Sequence, residues 1–276
     1  MSARFGPAGN AESFSKVHKS SLAAPAWIAQ QGLDCYEYQC GKGVHVGEDT
    51  ARKLGEKARE AGIALSVHAP YFINLANPDP ESRAKTTNYV LESCFVAQVM
   101  GAERIVIHSG ALMKRSRQEA LDIAKETLKQ VLEACDRQGY GNITLCPETM
   151  GKINQLGDLD EVLTLCTLDE RLIPCIDFGH LYARSLGELE GEQACREMLD
   201  KVERVLGEER ASRFHSHFSR IEFTPKRRRK NATVPLQTTG ALDRTGRLWP
   251  GKWPAGAGVP PSSAKARVLK RRTRWR

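Results

Sequence analysis

Along residues 1–225 the chain alternates two hydrophobic periods. Short apolar runs of strand length, such as IALSVHA (63–69), RIVIHS (104–109) and NITLCPE (142–148), stand between longer stretches with helical spacing. In SRQEALDIAKETLKQVLEACDRQG (116–139), for example, Leu121, Ala124, Leu128, Val131 and Leu132 share one helical face. RFGPAG, LDCYEYQC, RLIPCIDF and RFHSHFSRIEF complete the expected strands. AWIAQQ, EDTARKLGEKAREAG, ESRAKTTNYVLESCFVAQVMGA, LDEVLTLC and EGEQACREMLDKVERVLG complete the expected helices. Strict βα alternation implies a parallel sheet. Repeats of about 30 residues favour an α/β parallel (β/α)8 TIM barrel, incomplete at its C-terminal end with about seven βα units. An open doubly wound sheet is the alternative. No Gly-x-Gly-x-x-Gly follows a strand, which weakens a dinucleotide site.

Charge divides the chain in two. The 276 residues carry 41 Lys and Arg against 33 Asp and Glu. Residues 226–276 hold 15 of the basic residues and a single acid, Asp243. The body, 1–225, is therefore at −6 and the tail at +14. Arg, Pro, Gly and Ala dominate the tail, which shows no βα alternation. Two accounts of it stand: a basic arm that holds nucleic acid, or a shifted reading frame of GC-rich DNA. The abruptness of the change favours the second. The eight cysteines are scattered without a Cys-x-x-Cys pair, and several lie in apolar runs, as reduced core residues would. No run approaches the ~18 apolar residues of a membrane span. The start, MSARFGPAGN, has no signal pattern, so a cytoplasmic protein with no membrane partner is expected, as a monomer.

Polar residues fall in register with the strands. His68 ends SVH, His108 ends RIVIH, Glu148 ends ITLCPE and Asp177 ends IPCID. His180 follows three residues later, and His215 and His217 lie in RFHSHF. The steps from His68 to His108, Glu148, Asp177 and His215 are 40, 40, 29 and 38 residues, each about one βα unit. A single histidine at a strand end is more often a loop or capping residue, and Glu148 or Asp177 alone fits a helix cap. Five in register favour one shared centre at the C-terminal mouth of a barrel. Imidazole with carboxylate suits Zn²⁺ or Mn²⁺, and the lack of cysteine at these strand ends argues against a structural zinc finger.

HAPYFINLANP (68–78) resembles the strand-3 signature of the endonuclease IV family, the apurinic/apyrimidinic endonuclease family 2 of xylose-isomerase-like TIM barrels. IPCIDFGHLYA (173–183) resembles its Cys-x-Asp-x-x-His signature, and IVIHSG and CPETMG between them fit in spacing. The resemblance covers roughly residues 1–225. It implies a cluster of up to three zinc ions that cleaves double-stranded DNA 5′ to abasic sites in base-excision repair. By position it implies that His68, His108 and Glu148 hold one zinc. Glu148 would bridge to a second, with Asp177 and His215, and His180 would bind the third. Glu148 would also orient the attacking hydroxide, and Tyr71 and Asn74 would belong to the DNA-contacting loop. Clustered divalent ions suit a phosphodiester, whose charge and poor leaving group both need neutralising. A metal-dependent sugar isomerase or epimerase is the alternative, favoured mildly by the acidic body, since DNA affinity normally rests on Lys and Arg.

The chain departs from that family at its end. The third signature, His-x-Asn-Asp, is here HSHF. No Glu follows Glu222 and no His follows His217, so the glutamate expected on strand 8 is missing. His217 is a weaker candidate for a lost third-zinc ligand. Fewer than three zincs are therefore expected. Residues 226–276 should supply no regular eighth βα unit, leaving the first and seventh strands as open edges.

Overall fold

A computed structural model of the chain describes residues 3–189, 191–218, 221–224, 227–233 and 265–270. Its strands are β1 (Ala3–Ala8), β2 (Cys35–Gln39), β3 (Ala64–His68), β4 (Arg104–His108), β5 (Thr144–Glu148), β6 (Cys175–Asp177), β7 (His215–Phe218), β8 (Ile221–Thr224), β9 (Arg227–Thr233) and β10 (Lys265–Lys270). Its helices are α1 (Glu12–Val17), α2 (Ala24–Gln30), α3 (Glu48–Glu60), α4 (Pro80–Met100), α5 (Arg117–Arg137), α6 (Leu159–Cys166), α7 (Phe178–Arg184) and α8 (Gly191–Ala211). Strands β1 to β7 pair in sequence order, all parallel, and curl into a barrel. This is the α/β TIM-barrel architecture that the alternating pattern implies.

Local chemistry sets the helix ends. Asp79 caps α4 by accepting from the Ser82 amide at 2.9 Å, Pro80 opens the helix, and Gly101 closes it at φ 71°. Ser116 with Glu119, and Asp158 with Glu161, form capping boxes on α5 and α6. In α3, Glu48 and Asp49 stand in the first turn and Lys57 and Arg59 in the last, matching the helix dipole. The helices turn Leu54, Ala58, Val90, Cys94, Ala97, Leu128, Val131, Val162 and Val202 inward against the sheet, where all are buried. Inside the barrel lies a separate apolar patch of Val106, Cys146, Ile173 and Cys175. The eight cysteines form no disulfide, and seven are buried. No described helix is long and apolar enough to cross a membrane.

Three elements differ from the pattern. RLIPCIDF supplies only the three residues of β6, because Asp177 at its end caps α7 and turns the chain into a helix at once. RFHSHFSRIEF divides: β7 stays in the barrel, while β8 leaves it to pair with β9 as an antiparallel ribbon. The expectation of open edges is corrected by β10. It lies between β7 and β1, antiparallel to both, and closes the barrel. Two facing edges of unpaired backbone groups accept a strand of either direction, and closure removes both edges together. The rest of the tail, and with it most of the expected 226–276 unit, lies outside the described residues.

Candidate metal centre

Parallel pairing brings the strand-end residues to one mouth. His108 stands opposite Glu148 in the β4–β5 register, and Asp177 opposite His217 in the β6–β7 register. Glu148 is fully buried at the focus. Its Oε2 lies 3.3 Å from His68 Nε2 and 3.2 Å from His108 Nε2, and its Oε1 lies 2.6 Å from His217 Nδ1. Asp177 Oδ2 lies 3.3 Å from His180 Nδ1 and 3.7 Å from His217 Nδ1. Asp177 also caps α7, with its Oδ1 accepting from the His180 amide at 2.8 Å.

Backbone carbonyls aim two of the rings. His68 Nδ1 is 2.7 Å from Ala69 O and His108 Nδ1 is 2.7 Å from Tyr71 O. A carbonyl at Nδ1 leaves Nε2 as the atom facing Glu148, the one a metal would take once its proton is displaced. His180 Nδ1 likewise stands 2.9 Å from Thr149 O. Thr149 ties β5 to β6 as well, since its hydroxyl accepts from the Asp177 amide at 2.9 Å.

The charges are set by each other. Burial works against the charged form of Glu148. The positive charge of His217 and hydrogen bonds from His108, His217 and His68 outweigh it and hold the carboxyl well below its usual range. Burial also works against a charged His217, but the neighbouring Cys175 and Glu148 and a hydrogen bond with Asp177 push it well above the usual histidine range. His215 goes the other way: burial first, then His217 and Arg104 nearby, push it well below.

Among the described residues, two donor sets that share Glu148 suit a divalent ion: His68, His108 and Glu148, and Glu148, Asp177 and His217. In each, the ligand atoms lie within 4.8 Å of one another. Two imidazoles with a carboxylate, or one with two, is the chemistry of zinc or manganese sites, so the residues fit the expected metal. A third group shares His217 and extends one layer deeper through Cys175 and His215, which pair in register.

The expected residues are thus brought together with one exchange. His68, His108, Glu148, Asp177 and His180 converge. His215 does not join Asp177: its Nε2 lies 3.4 Å from Glu37 Oε2, and His217 takes the place beside Asp177. Tyr71 is on the mouth loop, 49% exposed beside Phe72 at 43%. Asn74 is turned inward. Its Oδ1 accepts from the amides of Ala76 at 3.1 Å and Ala111 at 3.0 Å, pinning the β3–α4 loop to the β4–α5 loop. Gly110 permits this approach, since it sits at φ 119° and a Cβ there would come within 2.2 Å of Asn74 Oδ1. The sequence reading passed over Glu37, a buried carboxylate on β2, whose only advance signal was its phase with Cys35 and Gln39.

Fold and centre together define a TIM barrel equipped to hold divalent metal. The sequence profile of the xylose isomerase-like TIM barrel family matches residues 25–271, and the chain belongs to that family. An uncharacterised protein of Methanocaldococcus jannaschii is 35% identical over 196 residues, which cover 71% of this chain and 70% of that one. A probable endonuclease 4 of Acholeplasma laidlawii is 33% identical over 45% of this chain and 44% of its own, so the chain matches under half of that relative's length. Among solved structures, endonuclease IV from Thermus thermophilus superposes with a TM-score of 0.58 at 20% identity, covering 79% and 78% of the two chains. D-psicose 3-epimerase from Clostridium cellulolyticum gives 0.57 at 16% identity, covering 74% and 68%. At these identities the structures speak for the fold alone.

Proposed function

We propose that the chain is a zinc-dependent endonuclease that hydrolyses the DNA backbone 5′ to abasic sites. The observation that carries this reading is the sharing of buried Glu148 between two donor sets. A carboxylate common to two donor sets would suit the paired divalent ions that assist in-line phosphodiester displacement. A divalent ion bound there would supply Lewis acidity to the phosphate, a bound water and the leaving oxygen. His68, His108 and Glu148 would hold one ion, and Glu148, Asp177 and His217 the other. His180, beside Asp177, would be the ligand left for a third.

The chain's own residues do the rest. Glu148, kept ionised, accepts hydrogen bonds and orients the nucleophile. The carbonyls of Ala69 and Tyr71 keep two imidazoles in their ligand orientation. The exposed rings of Tyr71 and Phe72 stand on the loop next to the cluster. Exposed aromatic faces there offer a stacking surface for the bases around a lesion.

The acidic body and the likeness in fold to an epimerase favour a second reading, an epimerase of ketose sugars. One assay separates the two. The purified chain, loaded with Zn²⁺ or Mn²⁺, is given duplex DNA with one abasic site and, in parallel, a set of ketohexoses. Nicking 5′ to the lesion is expected, slow because the sequence has no Glu after Glu222 to match the glutamate of the family's last barrel strand, and abolished by chelation. Epimerisation of a ketose with intact DNA would overturn the nuclease reading.

A further inference from the structure

A buried cysteine is ordinarily a small apolar filler, and most of those in this barrel fit that account. Cys94 and Cys135 are placed differently. They stand on α4 and α5, on the faces that these helices turn into the core. Cys94 lies between Val90 and Ala97, and Cys135 follows Val131 and Leu132, all buried. The two sulfurs are 3.7 Å apart, in hydrogen-bonding contact. A disulfide needs about 2.05 Å, so small side-chain adjustments separate this contact from a bond.

The two ends of this contact are unlike. Cys94 is fully buried in the body of α4. Cys135 keeps 3% exposure in the last turn of α5, where its carbonyl accepts from the amides of Gln138 at 3.2 Å and Tyr140 at 2.8 Å. Helix ends fray, which gives a small solute a way to this sulfur. Next to it, Asp136 pairs with Arg171, Nη2 to Oδ2 at 3.2 Å. The hydrogen bond from Cys94 holds the Cys135 thiol below its usual range, against burial and the charge of Asp136 and with that of Arg171 in support. Cys94, the donor, is pushed the other way by the same bond and by burial. Cys135 is thus the sulfur whose thiolate is favoured, and Cys94 stands behind it.

We propose that Cys94 and Cys135 are a redox pair that forms a reversible disulfide between α4 and α5 when the chain meets hydrogen peroxide. The Cys135 thiolate attacks one peroxide oxygen. An S–O bond forms, the O–O bond breaks, and the departing hydroxide leaves as water with the Cys135 proton. The Cys94 sulfur then attacks the sulfur of the sulfenic acid. The S–S bond forms, the S–O bond breaks, and a second water leaves with the Cys94 proton. Two thiols and one peroxide give one disulfide and two waters, and a dithiol reductant reverses the step. The bond would join residues 41 apart in sequence, on the helices that precede and follow β4. Closing so long a loop restricts the unfolded chain and raises thermal stability. The step draws on no residue of the metal centre, so it stands apart from the reading of that centre.

The test treats the full, folded chain with hydrogen peroxide, blocks the remaining thiols by alkylation and maps the peptides by mass spectrometry. A peptide pair joined through Cys94 and Cys135 is expected, with both thiols recovered on reduction. The oxidised chain should unfold about 5–15 °C above the reduced one. In Cys94→Ala the sulfenic acid has no partner thiol, so a sulfenic-acid trap such as dimedone should label Cys135. In Cys135→Ala, Cys94 should stay unlabelled. Cys94 and Cys135 both free in the oxidised wild-type chain would overturn the proposal, a result that needs no variant to fold. So would a crosslink that forms only in denaturant, or one that joins either cysteine to a different partner.

Discussion

The two halves of the barrel mouth hold their histidines by different means. On β3 and β4 the partners are the carbonyls of Ala69 and Tyr71, which come with the backbone itself. On β7 the partners are side chains, with Glu148 Oε1 at 2.6 Å and Asp177 Oδ2 at 3.7 Å from His217 Nδ1. The strands differ in the same sense. β3 and β4 sit mid-sheet between parallel neighbours, whereas β7 is flanked by the antiparallel β10 of the basic tail. Orientation supplied by the backbone needs no particular side chain beside the ring. Orientation supplied by side chains can be removed one residue at a time. The first ion site should therefore be robust and the second contingent.

The largest effect should come where the two halves meet. Glu148→Gln removes the one carboxylate common to both donor sets, so both ions should weaken together and abasic-site cleavage should drop at least ~10²-fold. Single substitutions sharpen the contrast. His68→Ala should release only the first ion and His217→Ala only the second, measured as zinc content per chain. Equal loss of both ions from either histidine variant would mean that the two groups form one indivisible site, and the comparison would break.

A smaller effect should appear in the pH dependence of the second site. His217 is pushed well above its ordinary value of 6.5 despite its burial, by Cys175, Glu148 and Asp177. An ion bound at its Nδ1 must displace a proton. At any pH below the raised value, each unit of increase should strengthen binding of the second ion about tenfold, because one proton leaves per ion. Glu148, held ionised well below its usual range, adds no proton to this balance near neutrality. Zinc titrations between about pH 6 and 8 would show the slope. A flat profile for the second ion would show that His217 binds from an already neutral state.

Much of this centre was legible from spacing. His68, His108, Glu148 and Asp177 end strands one βα unit apart, and a parallel barrel can only bring such ends to one mouth. The choice between His215 and His217 was not legible. Two residues apart on one strand, both face the interior, and only the pairing of Asp177 with His217 decides which reaches the upper layer. Glu37 was hidden for a related reason. An acid in CYEYQ reads as a solvent-facing residue until the barrel closes around it. The closing strand itself, KARVLK, carries no helix after it among the described residues and runs against its neighbours, so βα alternation gives no warning of it.

The smallest expected effect concerns Asn74, where sequence and structure assign different tasks. The resemblance implies a DNA contact, whereas the structure turns its side chain onto the amides of Ala76 and Ala111. Asn74→Ala would leave two amides without that acceptor, at a cost of about 1–3 kcal/mol if they stay buried. The loop that loosens carries Tyr71, whose carbonyl orients His108. Affinity for the first ion should therefore decline, by less than about tenfold since the His108 ring and its carbonyl partner are both still present. Thermal unfolding and zinc titration of the variant would test this. A purely DNA-contacting Asn74 would lower affinity for abasic duplex while leaving both of those measurements unchanged. Such a result would mean that the backbone partner of His108 is independent of its loop clamp, and so would make the first half of the mouth more robust than the comparison already holds it to be.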